Sequence, residues 1–109
     1  MIKVVHCFKC DSSIPTFYVG RGKIPQDFMI PTGLGNPQPI DSNFSRDRAI
    51  EIFGDKLNSG CFDEQVKALY SNWKNLCFKE IQIACWCAPK SCHGELIKEK
   101  LLKMKEVNF

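Results

Sequence analysis

The stretch KEIQIACWCAPKSCHGELI, residues 79–97, predicts a strand, a tight connection and a helix in direct succession. Residues 79–86 form a short apolar run bounded by polar and turn residues, which is typical of a buried strand. Pro89 marks the turn, and Ser91 is a residue type that caps helices. A helix is expected over 92–106, with an inward face formed by Leu96, Ile97, Leu101 and Met104. A strand that leads directly into a helix is the building unit of α/β sheets.

Two further strands are predicted near the start of the chain. Residues 2–8 are a β-branched run, and TFYVG, residues 16–20, reads as a second short strand. Residues 20–45 then hold most of the glycines and prolines and predict a long loop. Loops of this length in compact domains are usually either functional or mobile.

Two helices are predicted between that loop and the final strand. Apolar spacing indicates one helix over 46–57, with Ser45 as its N-cap, and a second over 62–77. We therefore expect residues 1–109 to form one α/β domain, a small Rossmann-like sandwich of three or two layers around a short, mostly parallel sheet. Helices packed on one side of a mixed sheet are the alternative.

The composition is that of a soluble globular domain. Net charge is +3 and the pI is near 8.5, a weaker imbalance than duplex-binding proteins show, so no nucleic-acid partner is expected. The apolar runs fall short of the roughly 18–20 residues that span a bilayer. The N-terminus lacks a signal-peptide pattern. These features predict a cytoplasmic protein without a membrane partner and leave its oligomeric state open.

Seven cysteines are many for 109 residues. Their number is odd and no secretion signal accompanies them, so a disulfide framework is not expected. The cysteines are instead expected to be reduced thiols, metal ligands or catalytic groups.

Three unusual segments should converge if the sheet is parallel. Ligands of open α/β sheets bind where the carboxyl ends of strands meet the N-termini of helices. Cys7, the segment YVGRG at 18–22 and the segment 85–94 all follow predicted strands. We therefore expect them at one edge of the sheet.

Two of the glycine-rich motifs suggest an anion site. In YVGRG, Arg21 stands between Gly20 and Gly22, and a guanidinium can bind phosphate or carboxylate through two hydrogen bonds. In GLGNP, residues 33–37, backbone N–H groups could form an anion nest while Asn36 contacts a ribose or base. The alternatives are a β-turn with a solvated arginine and a rigid loop.

The segment CWCAPKSCHG, residues 85–94, supports two kinds of chemistry. Cys92 falls in the first turn of the last helix, where the helix dipole lowers a thiol pKa and favours a reactive thiolate. Four side chains could instead bind zinc: Cys85, Cys87, Cys92 and His93, joined by Cys7 and Cys10. This spacing is not a standard zinc pattern, and buried inert thiols are the alternative for Cys85. Trp86 and Tyr18 flank the same place, as packing or as stacking groups.

The ordered motifs YVGRG, LGNP, SRDRAIEIF and CWCAPKSCHGELI resemble the signature of the domain-of-unknown-function 4326 family. The resemblance covers about residues 16–102 and implies a small protein of the kind found in bacteria and especially phages, which would place this one in a host cytoplasm. Gln38 departs from the pattern, since an aromatic residue commonly follows the Asn-Pro pair, and so does the segment HCFKC, residues 6–10. The residues to which the resemblance assigns a site, with Tyr18 beside them, are Gly20, Arg21, Gly22, Leu34, Gly35, Asn36, Pro37, Arg46, Cys85, Cys87, Pro89, Cys92, His93 and Gly94.

Three functions remain in view. The first is binding of a small molecule that carries phosphate and a nucleoside, with Arg21 and Arg46 on the phosphate and Asn36 on the sugar or base. The second is a transferase or hydrolase acting on a nucleotide or nucleoside, with Cys92 as nucleophile and His93 assisting. Adjacent helical residues do not face each other, which disfavours a direct Cys92–His93 pair. The third is a zinc-stabilised adaptor.

Overall fold

The computed structural model describes residues 2–20, 23–35, 45–86 and 93–107. Within these ranges, four parallel strands form a single sheet and three helices accompany it. The strands are β1 (Ile2–His6), β2 (Thr16–Tyr18), β3 (Ile30–Pro31) and β4 (Ile81–Cys85). The helices are α1 (Arg46–Asn58), α2 (Asp63–Asn75) and α3 (His93–Val107). The predicted α/β class with a parallel sheet is confirmed.

The strand order β1-β4-β2-β3 places β4 between β1 and β2. All five residues of β4 are buried, as its apolar sequence predicts for a strand with a neighbour on each side. Because the four described strands are parallel, their last residues lie along one side of the sheet, called here the carboxyl edge. His6, Cys85, Tyr18 and Pro31 are those last residues.

The helices cover one face of the sheet. Side chains alternate between faces along a strand, so Ile81, Ile83 and Cys85 share one side of β4 and Ala84 points to the other. The first three belong to a core shared with Phe53 of α1, Leu69 and Trp73 of α2, and Ile97 and Leu101 of α3. Of the three-layer and two-layer sandwiches that were predicted, the described residues fit the two-layer one.

The opposite face carries a smaller cluster. Cys7, Tyr18, Met29 and Ala84 are buried there, and among the described residues these come from strands and from the connections after β1 and β2. Within the described ranges, connecting segments rather than a helix pack on this side of the sheet.

The strand β3 was not predicted, because residues 20–45 were expected to be loop. It has two residues, one of them proline, and pairs with Phe17 and Tyr18 of β2. A two-residue strand gives no periodic pattern, and only its tertiary pairing defines it. The other elements lie within a few residues of their predicted bounds.

The ends of α1 and α2 follow local rules. The Ser45 hydroxyl accepts a hydrogen bond from the Arg48 N–H at 3.2 Å, which confirms the predicted N-cap. Helix α2 ends in a Schellman motif: the N–H of Phe78 donates to the Trp73 carbonyl at 3.0 Å, and their rings meet edge to face 4.9 Å apart. The left-handed position of this motif, φ 57°, is held by Cys77 rather than glycine.

None of the helices in the described ranges combines the length and apolar character that a membrane crossing requires.

Candidate functional site

The segments after β2 and β3 are tied together at the carboxyl edge. The Thr32 hydroxyl donates to the Tyr18 carbonyl at 2.8 Å and accepts from the Leu34 N–H at 3.2 Å. Leu34 is fully buried and packs in the main core. One threonine therefore fixes the start of the GLGNP motif against the end of β2.

His93 joins the same end of β2 to the start of α3. Its Nε2 lies 2.6 Å from the Val19 carbonyl oxygen, and its ring meets Phe53 edge-on at 4.8 Å. A carbonyl oxygen only accepts, so Nε2 carries the proton of this bond. His93 is 8% exposed and Gly94 beside it is buried. The histidine therefore orients the first turn of α3 against the YVGRG motif, and a catalytic role for it stays a prediction.

Gly20 has a packing reason to be glycine. A Cβ at this position would lie 2.6–2.7 Å from two ring carbons and the hydroxyl oxygen of Tyr18, and Gly20 is not among the glycines with positive φ. The Tyr18 ring is 3% exposed. The glycine thus provides room for the tyrosine two residues earlier, which explains their association within one motif.

Tyr18 in turn orients Trp86, the residue after β4. The indole Nε1–H of Trp86 donates to the Tyr18 hydroxyl at 2.8 Å. Tyr18 is buried, so ligand contact by its ring stays a prediction, whereas Trp86 is 43% exposed.

Three thiols lie near the β1 and β4 ends of the edge. The Cys10 thiol donates to the Cys7 carbonyl at 3.2 Å, and the Gln26 amide donates to the same oxygen at 2.6 Å. Burial, and next the neighbouring Cys85 and Cys10 thiols, raise the pKa of Cys7 from 9.0 to about 11. Cys7 is therefore a neutral thiol at physiological pH, and such a group is neither a nucleophile nor a metal ligand without deprotonation.

Several predicted site residues lie outside the described ranges. These are Arg21, Gly22, Asn36, Pro37, Cys87, Pro89 and Cys92, together with the side chain of Arg46. Of the predicted zinc ligands, Cys7, Cys10, Cys85 and His93 are described. Within the described part of the chain, no three His, Cys, Asp or Glu side chains form a group that could hold a metal. The zinc set therefore stays a prediction.

Sequence reasoning named Trp86 as a packing or stacking group but missed the cluster of rings around it at the β1 and β4 ends. His6, Phe8 and Trp86 surround one another, with ring centroids 5.2–5.9 Å apart, and are called here the aromatic edge. Phe8 is 65% exposed. The sequence does place Phe8 two residues beyond the end of β1, next to the expected site. In the segment HCFKC, however, the two cysteines are the residues that suggest chemistry.

The edge as described offers polar backbone, aromatic faces and the first turn of a helix within one strip. The N–H groups of a helix's first turn attract anions, and exposed rings accept planar groups. Such a combination suits recognition of a small ligand, whereas Cys7, as a neutral thiol, is not poised to act as a nucleophile.

Comparison with known proteins places this chain in one family. Neither a curated protein nor a solved structure matches it. A family model, described as a domain of unknown function (DUF4326), matches residues 5–103 of the 109. That span includes the four strand ends of the carboxyl edge and the motifs around them. The chain therefore belongs to the DUF4326 family of domains of unknown function.

Proposed function

We propose that the carboxyl edge binds a small molecule that carries a phosphate group and a nucleoside. The observation that supports this most is the 2.6 Å contact between His93 Nε2 and the Val19 carbonyl. It brings the end of β2, which Gly20 and Arg21 directly follow in sequence, to the first turn of α3. Glycine, arginine and a helix N-terminus in one place are the groups that recognise phosphate.

The proposal assigns roles to residues on each side of this contact. Arg21 and Arg46 would pair with phosphate oxygens, and Asn36 would hydrogen-bond the sugar or base. Arg46 is the first residue of α1, directly after the Ser45 cap. Cys92 would line the pocket next to His93.

Binding is favoured over the enzymatic alternative by the placement of His93. Cys92 and His93 are neighbours in the predicted helix, and neighbouring helical residues do not face each other, which disfavours a direct pair. The Nε2 atom donates to a backbone carbonyl, and burial holds the ring there. We therefore assign His93 to positioning and place the protein's action in the cytoplasm, where its cysteines stay reduced.

Thermal unfolding with a panel of ligands tests the proposal. The panel contains AMP, GMP, CMP, UMP, a cyclic mononucleotide and ribose 5-phosphate. A ligand at ten times its Kd stabilises the fold by about 1.4 kcal/mol, which raises Tm by several degrees for a domain of this size. Absence of any shift across the panel at millimolar concentration would refute phosphate binding.

Matched arginine variants locate the phosphate. Arg46→Ala and Arg21→Ala should remove the ligand-induced shift, because each would delete a charged donor to phosphate. Arg48→Ala is the control: Arg48 lies on the same helix turn, is exposed, and pairs with Glu51 at 2.8 Å. Its loss should leave the shift unchanged, and equal effects at 46 and 48 would point to net charge alone.

A further inference from the structure

The aromatic edge is the least explained surface of the described residues. Phe8 is 65% exposed and Trp86 is 43% exposed, although each lies beside a strand of the central sheet. The chain buries its other tryptophan, Trp73, to 1% exposure and satisfies its indole N–H with the Lys79 carbonyl. Two large neighbouring rings that are exposed to solvent at the carboxyl edge of a sheet indicate a binding site.

The rings are held in place by the backbone and by polar contacts. The Cys7 N–H donates to the Cys85 carbonyl at 3.0 Å, which extends the β1–β4 ladder to the base of both rings. The Phe8 N–H donates to His6 Nδ1 at 3.2 Å. The centroids of the Phe8 and Trp86 rings lie 5.2 Å apart with an angle of 68° between the ring planes, and this pair is called here the Phe8–Trp86 corner. Because the two rings are already fixed, they lose little conformational entropy when a planar group binds to them.

The chemistry of the corner restricts what can bind. The indole N–H of Trp86 is already donated to Tyr18, so that ring presents its π face rather than a hydrogen bond. Phe8 has no polar atom. A planar ring that stacks fits this corner, and stacking on aromatic side chains is tolerant of which base is present.

Position relates the corner to the proposed phosphate site. The corner lies at the ends of β1 and β4, and the Val19–His93 contact lies at the end of β2. β1 and β2 flank β4, so their ends are two strand spacings apart, about 10 Å. A mononucleotide is of this scale, with its base at one end and its phosphate at the other.

We infer that the Phe8–Trp86 corner stacks the nucleobase of the ligand whose phosphate the proposed function places near α3. This inference rests on that proposed function for the phosphate half of the ligand. The specific new assignment is that Phe8 and Trp86 bind the base, with Tyr18 and His6 as positioning residues.

Fluorescence gives a direct readout of the stacking. Trp73 is 1% exposed, so a base that stacks at the edge quenches the Trp86 component alone. Titration with AMP, GMP, CMP and UMP should quench the wild-type emission, while ribose 5-phosphate should bind without quenching. In Trp86→Phe the ligand-dependent quenching should disappear although the protein folds and a ring remains.

Affinity measurements then test the energy of the corner. Phe8→Ala and Trp86→Ala should weaken binding of the tightest nucleotide by about 5- to 150-fold, the range expected for loss of one stacking partner. Binding of ribose 5-phosphate should stay within twofold. Phe28→Ala is the matched control, because Phe28 is 36% exposed and precedes β3, on the side of β2 away from β4. It should change neither affinity.

The outcomes separate the two proposals. If ribose 5-phosphate binds and the nucleotides bind no more tightly, or if Phe8→Ala leaves nucleotide affinity within twofold, the corner does not stack a base and the phosphate proposal stands. If neither nucleotides nor ribose 5-phosphate bind, the proposed function is wrong. Titration with free nucleosides then tests whether the corner stacks a base. Quenching of Trp86 that becomes weaker in Phe8→Ala supports stacking, and absence of quenching overturns it.

Discussion

Replacing Gly20 with alanine should destabilise the protein through a single contact. The added Cβ would lie 2.6 Å from both Cε1 and the hydroxyl oxygen of Tyr18 and 2.7 Å from Cζ. Carbon atoms in contact are normally about 3.5–4.0 Å apart, so the ring would have to move by roughly 1 Å. Tyr18 is 3% exposed and its hydroxyl is bonded to Trp86, so the ring has little room to do so.

The expected cost of this change is about 2–4 kcal/mol. Overpacking a filled site costs about 1–3 kcal/mol, and loss of the Tyr18–Trp86 hydrogen bond adds about 1 kcal/mol. Because Gly20 has no positive φ, the backbone itself would accept alanine, and without the ring the change would stabilise by about 0.4–1 kcal/mol. The clash therefore decides the sign of the effect.

Urea unfolding followed by far-UV circular dichroism measures this cost, and tryptophan fluorescence reports release of Trp86 as a red shift. A double-mutant cycle with Tyr18→Leu isolates the contact: in that background Gly20→Ala should no longer destabilise the fold and should stabilise it by up to about 0.4–1 kcal/mol. A Gly20→Ala protein as stable as wild type would refute the packing explanation. An unchanged cost in the Tyr18→Leu background would show that another neighbour is responsible.

Three other outcomes follow from the described contacts. The folded-state pKa of Cys7 is about 11 against 9.0 unfolded, so the neutral thiol stabilises the fold below pH 9 and this stability is lost as pH rises to 11. The loss should be about 2–3 kcal/mol, and urea titrations of Cys7→Ala over this pH range should show a flatter profile. Cys77→Gly should raise the unfolding free energy by about 0.5–1 kcal/mol, since φ 57° suits glycine and the side chain is exposed; a lower midpoint would contradict this. His93→Phe keeps a ring but leaves the Val19 carbonyl without this donor, and should cost about 1–3 kcal/mol by thermal or urea unfolding.

The helices and the strand β4 could be predicted because their signals are local. Ser45 is a standard N-cap, and the apolar spacing of α1 to α3 matches the observed buried stripes. The parallel sheet followed from the order of elements alone. What sequence could not give was β3, whose two residues are defined only by their pairing with β2.

The candidate site was less accessible to prediction, for reasons of distance along the chain. His93 contacts the Val19 carbonyl 74 residues away, and Trp86 contacts Tyr18 68 residues away. Composition and motif spacing bring those segments to one edge but do not say which atoms meet. Gly20 looked like a residue for close approach of phosphate, whereas the nearest constraint on it is the Tyr18 ring. Phe8 was overlooked since a single exposed phenylalanine has no periodic signature.

The place of β4 in the sheet also sets the order in which the molecule can assemble. β1 is paired in the described sheet only with β4, and its first residue, Ile2, aligns with Ile81. During synthesis β1 therefore has no partner in the described sheet until residues 81–85 have left the ribosome. Strand pairing between residues so far apart in sequence slows folding, and it prolongs the exposure of an aggregation-prone β-branched segment. We expect nascent chains that stop before β4 to depend on chaperones and to aggregate when released.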